Sequence, residues 1–247
     1  ALSSAASDVY KRQVRSARVC FVDIVQAYDA IFSHAGCNTY AETELYNIGW
    51  ADLDALWGAA TPYYYRDESR LNSGYAWEHT LFTTGQDMYD YAVSFDYRLE
   101  SDEPYDFGLQ FAEDGTPDGE TANTIVAHFE PDGKTTTMTY DKESGMYHEY
   151  ENGRDYIDGN TGELVEFKNV FVLKTNLYYY EGLSFMTLTG EGEGYYACGG
   201  KIVPIRWSRD SNSDSFHYTL EDGTPLTQGI GHSYVAVIAD YSTVDYE

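Results

Sequence analysis

The chain has 247 residues, with 15 Lys+Arg against 41 Asp+Glu for a formal net charge of −26, and 43% of it is hydrophobic. That much apolar surface excludes a disordered polyelectrolyte, and the acidity repels phosphate backbones, so no nucleic acid is expected as a partner. No stretch of about 18 apolar residues is present to span a bilayer, and no basic amphipathic helix to lie on one.

The opening, "ALSSAASDVYKRQ", resembles a translated sequencing adaptor, so residues 1–13 are set aside as a non-native leader. From Arg15 to Tyr28 the apolar residues Phe21, Ile24, Val25 and Tyr28 recur at steps of three and four. This spacing predicts a helix that carries Arg15 and Arg18 one turn apart on one face. Positive charge at a helix N-terminus has the wrong sign for the macrodipole, so the pair is expected to face an anion. "DAIFSHAG" reads as a buried strand ending at Gly36. Residues 38–49 read as a second helix, with Asn38 or Thr39 as N-cap and Gly49 as its stop. "DLDALWG" is expected to continue helically, giving the helix–strand–helix order of an α/β layer.

Two acidic, Gly/Pro-containing stretches, "LESDEPYD" (99–106) and "EDGTPDGE" (113–120), read as linker or exposed loop. Beyond them the period becomes alternating. "TIVAHF", "TTTMTY", "MYHEY", "NVFVLKT", "LSFMTLT", "GYYAC", "KIVPIRW", "FHYTL" and "SYVAVI" are short β-rich runs between Gly-containing turns. "GYYACGGKIVPIRW" is the clearest hairpin, turning at Gly199-Gly200, with Pro204 expected at an edge or bulge. The expected fold is α+β, a layered sheet-and-helix sandwich. A partial α/β region (14–112) precedes a mostly antiparallel β-rich region (122–240).

Basic residues of the first half fall in two tight groups, because no Lys or Arg lies between Arg18 and Arg66. Arg15 and Arg18 form one group; "YYYRDESRLNSGYAWEHT" supplies Arg66 and Arg70, with His79. His34 stands at the end of the first strand, where ligand sites of α/β layers form. Either each arginine pairs with a local acid (Asp23 for the first group, Asp67 or Glu68 for the second), or the four arginines and two histidines line one anion pocket.

Other motifs carry less. "GEGEG" (190–194) reads as a strand-to-strand turn, since glutamates alternating with its glycines would repel phosphate. "DGNTGE" (158–163) places Asp158, Asn160 and Glu163 like a fragment of a calcium loop, but an ordinary turn is the better reading. There is no G-x-S-x-G elbow and no H-E-x-x-H helix. Cys20, Cys37 and Cys198 lack paired spacing and read as free thiols, and no metal or cofactor is expected. The clusters Tyr63–Tyr65 and Tyr178–Tyr180 offer flat faces for sugars, or cross-strand packing.

In collinear order, "VRSAR", "YDAIFSHAG", "YRDESR", "NGRDYIDGNTGE", "KNVFVL" and "GEGEGYYACGGKIVPIRWS" resemble the YerB-like lipoproteins of bacteria, a family catalogued as a domain of unknown function. The resemblance spans nearly all of residues 14–240. It implies an α/β-type N-terminal region and a β-rich C-terminal region. It also implies an extracytoplasmic protein held by a lipidated cysteine upstream of this sequence, with earlier strands missing. Where the family tends to read "HAGGS" and "PHN", this chain has His34-Ala35-Gly36-Cys37-Asn38 and Glu78-His79-Thr80, so the histidines persist while their neighbours change. Arg15, Arg18, His34, Arg66, Arg70 and His79 match motif positions to which the family attaches no reaction. The leading expectation is an envelope protein of undetermined biochemical role, leaning away from an enzyme, that binds an anionic envelope component or an envelope protein through these residues. The alternatives are a cell-wall or phosphoester hydrolase with His34 or His79 as general base, and a glycan-binding module built on the tyrosines.

Overall fold

The computed structural model describes residues 12–100, 107–158 and 161–247. The chain divides into two compact units, residues 1–105 and 106–247.

In the first unit β1 (Arg12–Gln13), which falls in the segment set aside as leader, pairs antiparallel with β5 (Leu81–Thr83), and β4 (Tyr65–Arg66) flanks β5 on its other side. Residues 14–17 are extended, not helical as expected. The Val14 amide donates to the Leu81 carbonyl, the Ala17 amide to Gly36, and the Ala35 amide to the Arg15 carbonyl. These long-range bonds take the backbone groups a helix would need, so α1 spans only Val19–Ala27 and Arg18 is its N-cap. Arg15 and Arg18 therefore do not share a helix face.

β2 (Phe32–His34) leads into α2 (Thr39–Ile48), which starts where Asn38 accepts the Ala41 amide at 2.8 Å and stops at Gly49 in the left-handed region. The chain then returns as β3 (Asp52–Asp54), parallel to β2. "DLDALWG" is thus strand and turn, not helix. Its Asp-Leu-Asp alternation buries Leu53, while Asp54 accepts the Gly36 and Leu56 amides at 2.8 and 3.0 Å. A 3₁₀ helix (Gly58–Tyr63), a short α3 (Glu68–Asn72), a 3₁₀ turn (Trp77–His79) and α4 (Gly85–Ser94) complete the described part of the unit. Val22, Ala17, Ala41 and Leu45 form one small core, and Leu53, Ala60, Tyr91 and Ala92 a second.

Among its described residues the second unit has strands and no helix: β6 (Gln110–Ala112), β7 (Glu120–Thr121), β8 (Thr124–Phe129), β9 (Lys134–Asp141), β10 (Met146–Glu151), β11 (Arg154–Asp155), β12 (Glu166–Phe167), β13 (Asn169–Thr175), β14 (Leu177–Tyr180), β15 (Leu183–Met186), β16 (Gly190–Cys198), β17 (Lys201–Arg209), β18 (His217–Leu220), β19 (Thr227–Gly229), β20 (Ser233–Ala239) and β21 (Val244–Tyr246). One sheet runs β11-β10-β9-β8-β21 with β12 beside β10; the other runs β18-β17-β16-β13-β20 with β7 beside β17. Their facing sides meet in a core that includes Ile125, Met138, Tyr147, Val170, Val172 and Ile238. All pairings of these two sheets are antiparallel except β13 with β20. The mixed α+β class expected from the sequence is observed, with the strand-rich part C-terminal.

The β16–β17 hairpin turns at Gly199-Gly200, both at positive φ, as a two-residue turn of this kind requires. Pro204 pairs with Tyr195 on one side; on the other it falls between the residues paired with β7 and those paired with β18, so its missing N–H costs no ladder bond. "GEGEG" is not a turn but the first half of β16. A Cβ on Gly192 would lie 2.4 Å from the Trp207 indole nitrogen, and one on Gly194 would lie 2.6 Å from the Val172 carbonyl oxygen. Gly192 and Gly194 serve close packing inside a strand.

Candidate functional site

α3 begins at Asp67, whose carboxylate accepts the Arg70 backbone amide at 3.0 Å. Asp67 thereby caps α3. Arg66 at the end of β4 and Arg70 on α3 both reach the turn Trp77–His79. The Arg66 Nη1 donates to the Trp77 carbonyl at 2.6 Å and to the Thr80 hydroxyl at 3.3 Å, and its guanidinium lies 4.1 Å from the Trp77 ring centre. The Arg70 Nη1 donates to the His79 carbonyl at 3.3 Å, with its guanidinium 4.9 Å from Phe82 and 5.2 Å from Tyr75.

From the extended segment before α1, the Arg15 Nη1 reaches His79 Nδ1 at 2.9 Å. A guanidinium can only donate, so Nδ1 accepts and the ring proton sits on Nε2. Arg15, Arg66 and Arg70 are thus fastened to one turn although residues 15 and 79 are 64 apart in the chain.

Among the described residues no carboxylate stands within ion-pair distance of Arg15, Arg18, Arg66 or Arg70. Burial draws the Arg66 pKa below its ordinary value, with no acid opposing the shift. Each guanidinium is held through one Nη1, leaving Nη2 and Nε without a protein acceptor among the described residues. Aromatic rings and backbone carbonyls therefore orient these cations without neutralising them.

Arg18 stands apart: it is exposed, and its Nη1 turns back to the Ala17 carbonyl at 2.8 Å. His34 is also separate in its contacts, being 2% exposed, with Nε2 2.9 Å from Asp52 and Nδ1 3.0 Å from the Gly36 carbonyl. Both partners accept, so both ring nitrogens carry protons and His34 is an imidazolium. Burial, the largest influence, lowers its pKa, but the Asp52 and Gly36 hydrogen bonds and the charges of Asp54 and Asp52 outweigh it, and the net shift is upward. A ring so engaged has no nitrogen with which to take a proton from a substrate.

The tyrosine clusters divide. Tyr63 stacks on Tyr91 at 4.7 Å, Tyr64 donates to the Leu53 carbonyl, and Tyr65 packs on Phe82, so this cluster is internal packing. Tyr178, Tyr179 and Tyr180 are exposed on β14, where strand alternation places Tyr179 on the face opposite the other two. In "DGNTGE", Asp158 accepts the Thr161 and Gly162 amides with its side chain and carbonyl; Asn160 lies outside the described residues. No cluster of metal-ligating side chains occurs among the described residues, and Cys20, Cys37 and Cys198 are free. Sequence spacing could not have brought Trp77, Tyr75 and Phe82 into the site, because they enter through stacking on the arginines.

The crystal structure of YerB protein from Bacillus subtilis is similar to this chain, with a TM-score of 0.76 and 21% identity over 94% of this chain and 76% of that one, which shows a shared fold. No curated protein matches the sequence. Residues 9–98 match the N-terminal domain, and residues 125–235 the C-terminal domain, of the protein of unknown function DUF3048. The chain, matched over most of its length by these two domains in their expected order, belongs to the DUF3048 family.

Proposed function

We propose that this protein binds an anionic ligand of the bacterial envelope through Arg15, Arg66 and Arg70, with His79 as the residue that positions Arg15. One observation carries the reading: these guanidinium groups are fastened to a single turn with no acid among the described residues to neutralise them. The chain carries 41 Asp+Glu against 15 Lys+Arg, yet among the described residues none of these acids forms an ion pair with the three arginines. Placement outside the cytoplasmic membrane on a lipid anchor belongs to the same proposal, and its support is the resemblance to YerB-like lipoproteins. Among the described residues no helix is long and apolar enough to cross a membrane.

Calorimetric titration with inorganic phosphate tests it. The intact chain gives saturable binding, and Arg15→Ala/Arg70→Ala abolishes it while circular dichroism stays native. Equal binding by the double variant refutes the site.

A further inference from the structure

The turn that gathers the arginines also presents an indole that a simple anion would not use. Trp77 is 63% exposed, yet Arg66 covers one of its faces at 4.1 Å, so the exposure belongs to the opposite face and the edge. No other aromatic ring of the described residues packs against it. Tyr75, beside Arg70, is 55% exposed. A flat, electron-rich ring face fixed within one turn of unneutralised guanidinium groups is suited to a ligand that joins an anion to a ring with an apolar face.

We propose that the site takes a phosphorylated sugar, with the phosphate held by Arg15, Arg66 and Arg70 and a face of the sugar ring laid on Trp77. This rests on the anion-binding reading and adds a second subsite to it. A phosphate monoester offers three terminal oxygens and up to two negative charges to the three guanidinium groups, against two oxygens and one charge for a carboxylate. The single open indole face suits a sugar, which stacks on one side only. A long phosphodiester chain fits poorly with a chain of net charge −26.

The test is titration at constant ionic strength with inorganic phosphate, glucose, glucose 1-phosphate and adenosine monophosphate, against the intact chain and the variants Trp77→Ala, Trp77→Phe and Arg15→Ala/Arg70→Ala. Glucose 1-phosphate is expected to bind about tenfold more tightly than inorganic phosphate, which corresponds to about 1.4 kcal/mol. Trp77→Ala removes that advantage, lowering the affinity for glucose 1-phosphate about tenfold more than that for phosphate, since Arg66 loses its ring contact but keeps the residue-77 carbonyl; Trp77→Phe keeps part of the advantage, and the double arginine variant loses both ligands. Equal affinity for phosphate and glucose 1-phosphate overturns the sugar subsite and leaves the anion site standing. Adenosine monophosphate binding more tightly than glucose 1-phosphate overturns it in favour of a nucleobase. No binding of any phosphate overturns the anion site itself.

Discussion

Replacing Glu149 by Gln should stabilise the second unit at pH 8 and leave it nearly unchanged at pH 4. Glu149 is on β10, 4% exposed, on the face that packs into the sandwich, and Glu151 follows two residues later on the same face. Lys134, the nearest cation, is committed to Glu151 at 2.7 Å. Burial first, and then the Glu151 charge, push the Glu149 carboxyl up to about 7 against the lowering effect of Lys134. A folded-state value above the ordinary 4.5 means that folding favours the protonated form. Stability is therefore highest below the unfolded value and falls as pH rises toward about 7, after which the loss is complete. At about 1.36 kcal/mol per pKa unit the full shift corresponds to roughly 3 kcal/mol, and the effective dielectric of real buried sites reduces this to about 1–3 kcal/mol. Glutamine matches the neutral acid in shape and removes the titration. In thermal melts followed by circular dichroism, Glu149→Gln should exceed the parent by about 3–8 °C at pH 8. The gap should close below pH 5. A constant gap across this range, or a less stable variant at pH 8, refutes the reasoning.

His34 gives a pH dependence in the first unit. Its folded pKa is raised, so its contribution is fully present below the unfolded value and is lost as pH rises through the folded one. Amide exchange across residues 32–36, relative to the intrinsic rate, should accelerate as pH rises through the raised folded value in the parent, and His34→Gln should remove this pH dependence at a cost of about 1–3 kcal/mol near pH 6. Nitrogen chemical shifts at pH 6 should show both His34 ring nitrogens protonated; a neutral ring contradicts the assignment. Gly192→Ala should destabilise the second unit by about 1–3 kcal/mol in denaturant melts, because the new methyl meets both the Trp207 indole and the Lys174 carbonyl, which hydrogen-bond each other at 3.0 Å. An unchanged midpoint would show that β16 can shift to admit it.

The sequence by itself determined the family, the α+β class and the elements whose signals are local. Asn38 and Gly49 bound α2 because a cap and a left-handed stop act within a few residues. The alternating runs became strands, and Gly199-Gly200 became their hairpin turn, because side-chain period and turn chemistry are properties of adjacent residues. Tertiary structure decided what depended on distant partners. Residues 14–17 had helical spacing but were drawn into extended pairing with Leu81 and the Ala35–Gly36 segment. "DLD" is too short to declare its period, and β2 fixed it as a strand. The glycines of "GEGEG" suggested a turn until Trp207 and Val172 showed why side chains are excluded there. At the candidate site, two basic groups were visible as composition, but which arginines met was settled by the turn Trp77–His79. That turn gathered Arg15, Arg66 and Arg70, while Arg18 turned back to its own backbone and His34 was bound by Asp52. Side-chain chemistry is written in the sequence, whereas the pairing of charges across 64 residues exists only once the backbone has been brought together.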